Sequence, residues 1–308
     1  MFLIIVHHFS VRGVSDILGA IYNFSSLTEA NSFWLFLLGI GGKIGVNIFV
    51  MITGYFMIKK CITIKKFFSI FFLTLFHSIF LMLFAFYFLH CDLTKYDILA
   101  GFSPFFFYKY WFVKYYLVLF MIIPLLNNTF KTLNKKIYLS ALCVMFIFWC
   151  VLPSFGKINF TNSHFMWFIF LYLAGGAISR FNISIKRRYC IYGILASLLL
   201  FMTQIAQIVS KVRIGAHAGY FVENHLYYCI IALCMFLIFK DIKLNCNKYI
   251  NYISASVFGV YLIHENPTVY KVLWQNIIHA DKMFLCPNYP IVQIATCVCI
   301  FVVCVLID

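Results

Sequence analysis

Ten apolar segments separated by more polar stretches make up most of the chain. They run over residues 1–9, 40–58, 67–89, 111–126, 137–153, 165–179, 189–209, 225–239, 252–264 and 290–307. The runs are continuous, and most approach the roughly 17–25 residues that an α-helix needs to cross a bilayer core. In lipid no water satisfies the backbone, so a spanning segment must close its own hydrogen bonds as a helix or join a closed barrel. Barrel strands alternate apolar and polar residues over about ten positions, a pattern absent here. The chain is 64% hydrophobic and 11% charged, whereas water-soluble domains carry roughly 25% charged residues. The expectation is an all-α polytopic membrane protein: one domain over 1–308 built as a bundle of about ten transmembrane helices.

Segment 1–9 is too short to span about 30 Å of hydrocarbon at about 1.5 Å per residue. It reads as the second half of a first helix that begins upstream of Met1, and the last helix reads as cut at Asp308. The start lacks the basic region and small-residue cleavage site of a signal peptide.

A net charge of +15 would suggest nucleic acid in a soluble protein. Here the placement of the charges gives a different reading. Four loops carry Lys59, Lys60, Lys65 and Lys66; Lys131, Lys135 and Lys136; Arg180, Lys186, Arg187 and Arg188; and Lys240, Lys243 and Lys248, with Asp241 the one acid among them. The intervening segments 10–39, 90–110, 154–164, 210–224 and 265–289 hold most of the acids. The positive-inside rule makes the four basic loops cytoplasmic and puts both chain ends in the cytoplasm. The expected partner is membrane lipid, with no nucleic acid.

Few residues in such a chain can carry chemistry. His7 and His8 close the first apolar run, and an ionisable group at membrane depth marks a functional site by default. Neutral imidazole is a general base near pH 7. Neighbours on a helix lie about 100° apart, so one histidine is expected to point into the bundle and the other to an interface. The competing reading makes both of them amphipathic interface residues. In Gly41–Phe56, Lys43 can snorkel, and Asn47 and Thr53 need polar partners inside an apolar helix. Trp111-Phe112 opens a segment that ends near Pro124. His264 ends another, where Asn266-Pro267 breaks the helix. The five tryptophans also suit interfacial belts. Cys297 and Cys299 are one residue apart, which is not a zinc-ligand spacing, and no metal is expected.

Taken in order, these pieces resemble acyltransferase family 3, the integral-membrane O-acyltransferases of bacterial surface polysaccharides. The resemblance rests on Ile4-Ile5-Val6-His7-His8, Gly45-Val46-Asn47-Ile48-Phe49 with Thr53-Gly54-Tyr55, Trp111-Phe112 to Pro124, Leu173-Ala174-Gly175-Gly176, and Tyr261-Leu262-Ile263-His264 with Pro267. It covers nearly the whole chain. It implies transfer of acetyl from acetyl-CoA to a carbohydrate hydroxyl by a protein of the bacterial cytoplasmic membrane. The family carries an Arg eleven positions before its essential histidine, and here that position falls before Met1. On this reading His8, or else His7, is the catalytic base. Lys43, Asn47, Trp111 and His264 contact substrate, and Lys65 and Lys66 hold the phosphates of the acyl-CoA, unless these lysines serve topology alone. A transporter or flippase for a sugar-bearing or acidic substrate is the alternative, although no inverted repeat is visible.

Overall fold

The computed structural model describes residues 1–16, 26–60, 63–107, 110–155, 164–210, 222–242, 245 and 247–308. Lys243 and residues 211–221 of the outward segment 210–224 lie outside them. All ten apolar segments form helices, and no strand occurs among the described residues. Helix α1 is Phe2–His8, continued without a break by a π-type stretch, Phe9–Ser15. Then come α2 Ser26–Gly39, α3 Gly41–Met57, α4 Ile64–Tyr87, α5 Lys95–Phe102 and α6 Trp111–Lys131. They are followed by α7 Lys135–Phe155, which includes a π-type stretch at Ile147–Val151, α8 His164–Arg180, α9 Arg187–Ser210 and α10 Leu226–Lys240. Helices α11 Lys248–His264, α12 Ala280–Phe284 and α13 Tyr289–Ile307 complete the chain.

Six spans among the described residues are long and apolar enough to cross a membrane: Ala30–Met57, Ile64–Tyr87, Trp111–Lys131, Lys135–Phe155, Arg187–Ile205 and Tyr289–Ile307. The expected ten segments are therefore all helical, but not all of full spanning length. The protein is an all-α multi-pass membrane protein. Two boundaries differ from expectation. The segment 10–39 is not simply a loop, because α2 occupies its second half and joins α3 at Ile40. Leu35 and Phe36 are buried there, which gives the helix an apolar face to dock. Nor does α6 stop near Pro124; it continues to Lys131. A membrane helix tolerates proline where neighbours re-satisfy the backbone, and Asn127 fastens the far end. Its amide donates to the Met57 carbonyl at 2.9 Å and accepts from the Tyr172 hydroxyl at 2.7 Å.

Helix α3 is the axis of the bundle, packed against α8, α1 and α10. Between α3 and α8 the contact is backbone to backbone. A Cβ at Gly54 would collide with the Tyr172 carbonyl, and one at Gly175 with the Met51 carbonyl. Small residues at such crossings let helices approach until dispersion contacts are dense, which is what drives association where lipid is as apolar as the side chains. The outer faces are apolar as well. Phe72, Phe76 and Phe80 of α4, Leu195 and Leu199 of α9, and Val302 and Leu306 of α13 are exposed, as a lipid solvent requires.

Candidate active site

Two polar clusters lie at the end of the bundle opposite the lysine-rich loops, and both face one cavity of about 140 Å³. The first begins with the histidine pair. His7 and His8 are both buried, so neither points to an outer interface. Helix α1 is covered on one side by α3 and on the other by α13, and both directions lead into protein. His7 Nδ1 donates to the Gly39 carbonyl at 2.5 Å. Its ring occupies the space that a side chain at residue 42 would need, since a Cβ on Gly42 would collide with it.

His8 enters a relay whose proton positions follow from its partners. His264 Nδ1 donates to the Val260 carbonyl at 2.5 Å, so its Nε2 is left as an acceptor. His8 Nδ1 lies 2.9 Å from that Nε2 and 3.2 Å from Glu265 Oε2; it therefore carries the proton. His8 Nε2 then holds the lone pair. It makes no hydrogen bond among the described residues, and His8 lines the cavity. His264 itself does not line the cavity and is fully buried. Expected at the substrate, it lies behind His8 instead.

Glu265 is held from its other side by Arg12, whose Nη2 and Nε donate to Oε1 at 3.0 and 3.2 Å. Arg12 also bonds Asp16 at 3.2 Å and lies over the Tyr270 ring. Burial pushes the Glu265 carboxyl above the ordinary carboxylate range, with Arg12 opposing the shift. The turn that presents Glu265 is fixed by Asn266. Its Oδ1 accepts from the Thr268 and Val269 amides, and its Nδ2 donates to the Tyr110 hydroxyl at 2.8 Å. Tyr110 in turn donates to the Leu262 carbonyl. The helix break expected at Asn266-Pro267 is the device that holds this carboxylate.

The second cluster surrounds Glu223. Lys43 Nζ lies 3.7 Å from Glu223 Oε2 and 5.2 Å from the centre of the Trp111 ring. His164 bonds the other Glu223 oxygen and packs on Trp111. Burial alone would raise the Glu223 carboxyl, but Lys43 and His164 overcome it and hold it at about 2. Asn47 donates to the Glu223 carbonyl at 2.9 Å and accepts from Trp167 Nε1 at 3.0 Å. Asn47 is fully buried and does not line the cavity, so this expected substrate contact fastens α3 to α8 and to the chain at residue 223. Lys43 and Trp111 do line the cavity.

Lys65 and Lys66 are both exposed. Lys66 lines a groove between α3, α4 and α6 that ends at Phe49, a residue that also lines the histidine cavity. Lys65 lines neither. Lys59 and Lys60 line a separate basic recess with Lys131 and Arg180. Among the described residues no group of three or more His, Cys, Asp and Glu is placed to hold a metal ion. Arg12, His164 and Glu223 escaped sequence reading. Arg12 had a signal, because it follows His8 by four positions on one helix. Glu223 had none, since only the fold brings it to Lys43.

The sequence profile of the family described as acyltransferase domain, Acyl_transf_3, matches residues 1–308. The chain belongs to this acyltransferase family. No curated protein and no solved structure matches it. This membrane acyltransferase thus presents to its cavity an imidazole with a free lone pair and a cation, the groups that acyl transfer to a hydroxyl calls for.

Proposed function

We propose that the protein moves acetyl from acetyl-CoA to a hydroxyl of a cell-surface carbohydrate or its lipid-linked precursor, in the bacterial cytoplasmic membrane with both ends cytoplasmic. The observation that carries this reading is the His8 relay. A sugar hydroxyl is a weak nucleophile at neutral pH, and a base within hydrogen-bond reach makes it competent. As the hydroxyl oxygen bonds to the thioester carbonyl carbon, its proton passes to His8 Nε2. The Nδ1 proton stays between His264 Nε2 and Glu265 Oε2, and the Glu265 charge stabilises the imidazolium. The tetrahedral oxyanion then collapses, the carbon–sulfur bond breaks, and the imidazolium returns its proton to the leaving thiolate. His7, tied to Gly39, is the alternate base.

Lys43 is the proposed partner of the oxyanion, since a cation in a water-poor site is worth more than one in water. Trp111 packs beside it as part of the substrate contact. On the opposite side of the membrane, Lys66 at the mouth of its groove, with Lys65 nearby in sequence, is proposed to attract the phosphates of CoA.

Proton NMR of surface polysaccharide tests the reading. Deletion of the gene is expected to remove O-acetyl signals, the wild-type gene to restore them and His8→Ala to leave them absent. A general base contributes about 10²–10⁴-fold, enough to abolish the signal. Unchanged acetylation in the deletion strain would remove the carbohydrate acceptor and favour a transporter.

A further inference from the structure

A second concavity, of about 580 Å³, lies beside the histidine cavity, and Arg12 and Glu265 line both. It is formed where the turn after α4 and the start of α5 meet the turn after α11. Three features separate it from an accidental hollow. Its lining is partly aromatic: Tyr96 and Phe107 meet edge to face at 5.2 Å, and Tyr270, also in the lining, lies under the Arg12 guanidinium. Its rim carries the carboxylate of Asp92, which is exposed. The shared wall holds Glu265, only 3% exposed, whose Oε2 accepts no well-formed hydrogen bond and has His8 Nδ1 at 3.2 Å.

Aromatic faces beside carboxylates form a surface for a sugar, whose C–H faces pack on rings while its hydroxyls donate to oxygens. We propose that this concavity is the acceptor site, where a carbohydrate ring rests on Tyr96 and Tyr270 and is oriented by Asp92. The Arg12–Glu265 pair is the partition past which one hydroxyl reaches His8. The inference rests on the acyltransferase reading above and adds to it the place of the acceptor and the residues that select it. It assigns Tyr96 and Asp92 to acceptor binding alone, because neither lines the cavity where the thioester would react.

The test uses the full chain in lipid nanodiscs with acetyl-CoA. The acceptor is host-cell polysaccharide stripped of its esters by mild alkali. Two rates are read: thiol release without acceptor, in which water takes the acetyl group, and acetyl transfer to the polysaccharide. In Asp92→Asn/Tyr96→Ala, thiol release is expected within about twofold of wild type. Transfer is expected to fall at least about tenfold, through a raised half-saturating acceptor concentration. Tyr96→Phe, which keeps the ring, is expected to retain most of the transfer. A double variant that transfers like wild type overturns the proposal, and so does one that loses both rates in proportion. If wild type releases no thiol from acetyl-CoA and transfers nothing, the acyltransferase reading itself fails, a result distinct from either.

Discussion

His8 draws its proposed role from what surrounds its ring rather than from its place in the sequence. The last residue of α11 and the one that follows it, His264 and Glu265, both face its Nδ1, and a carbonyl of the same helix sets the tautomer of His264. Removing His264 leaves the Nδ1 proton a second acceptor in Glu265. His264→Ala is therefore expected to lower transfer on the order of a hundredfold, the scale of a misplaced catalytic group, and His264→Gln to recover part of it. Glu265 adds a pH dependence. Its carboxylate must be ionised to stabilise the His8 imidazolium, and burial holds its titration above the ordinary range. As pH falls, Glu265 therefore takes up a proton at a higher pH than a free glutamate does, and transfer falls with it. In Glu265→Gln this contribution to the acid limb is expected to vanish while the maximal rate drops. A pH profile of transfer in wild type and variant checks the sign; an unchanged acid limb would put the controlling group elsewhere.

At the scale of elements, the stretch from residue 222 to the start of α10 is held to α3 and α8 by one buried carboxylate. Glu223 pairs with Lys43 and His164, and its backbone carbonyl receives Asn47. Breaking a buried pair by neutralising one partner costs about 3–5 kcal/mol, because the other charge stays buried and unpaired. Glu223→Gln is accordingly expected to lower the thermal midpoint in detergent, read by a thermal-shift assay. Gly175→Leu acts on a different contact. It drives a side chain into the Met51 carbonyl, so α3 and α8 must separate. The expected result is loss of folded protein, read as a broadened elution profile in gel filtration.

On the scale of the whole molecule, continuous apolar runs placed ten of the helices, because lipid leaves the backbone no other way to satisfy itself, but not α2, α5 and α12, which lie in segments that read as outward connections. The same rule made Thr53 and Asn47 conspicuous as polar groups needing partners. It could not say which partners. Thr53 meets Tyr116 at 3.1 Å, and Asn47 is used up in holding the bundle together. The histidines stood out for the same reason, yet Arg12 and Glu223 were hidden in segments that read as ordinary polar connections. Their meaning lies in contacts separated by 253 residues for Arg12–Glu265 and by most of the chain between Lys43 and Glu223.

Charge asymmetry is the one global property that sequence supplies and helix packing does not. Lysines and arginines gather at the loops joining α3 to α4, α6 to α7, α8 to α9 and α10 to α11. The carboxylates Asp92, Asp97 and Glu265 gather at the opposite end beside the proposed acceptor site. A membrane that retains basic loops on its cytoplasmic side therefore sets which side the acceptor site faces. Green fluorescent protein inserted after Lys186 is expected to fluoresce, and alkaline phosphatase inserted there to be inactive. The reverse is expected for insertions after Leu93. The opposite pattern would place the His8 cavity on the cytoplasmic side, where acetyl-CoA needs no path through the bundle and a surface carbohydrate cannot be the acceptor.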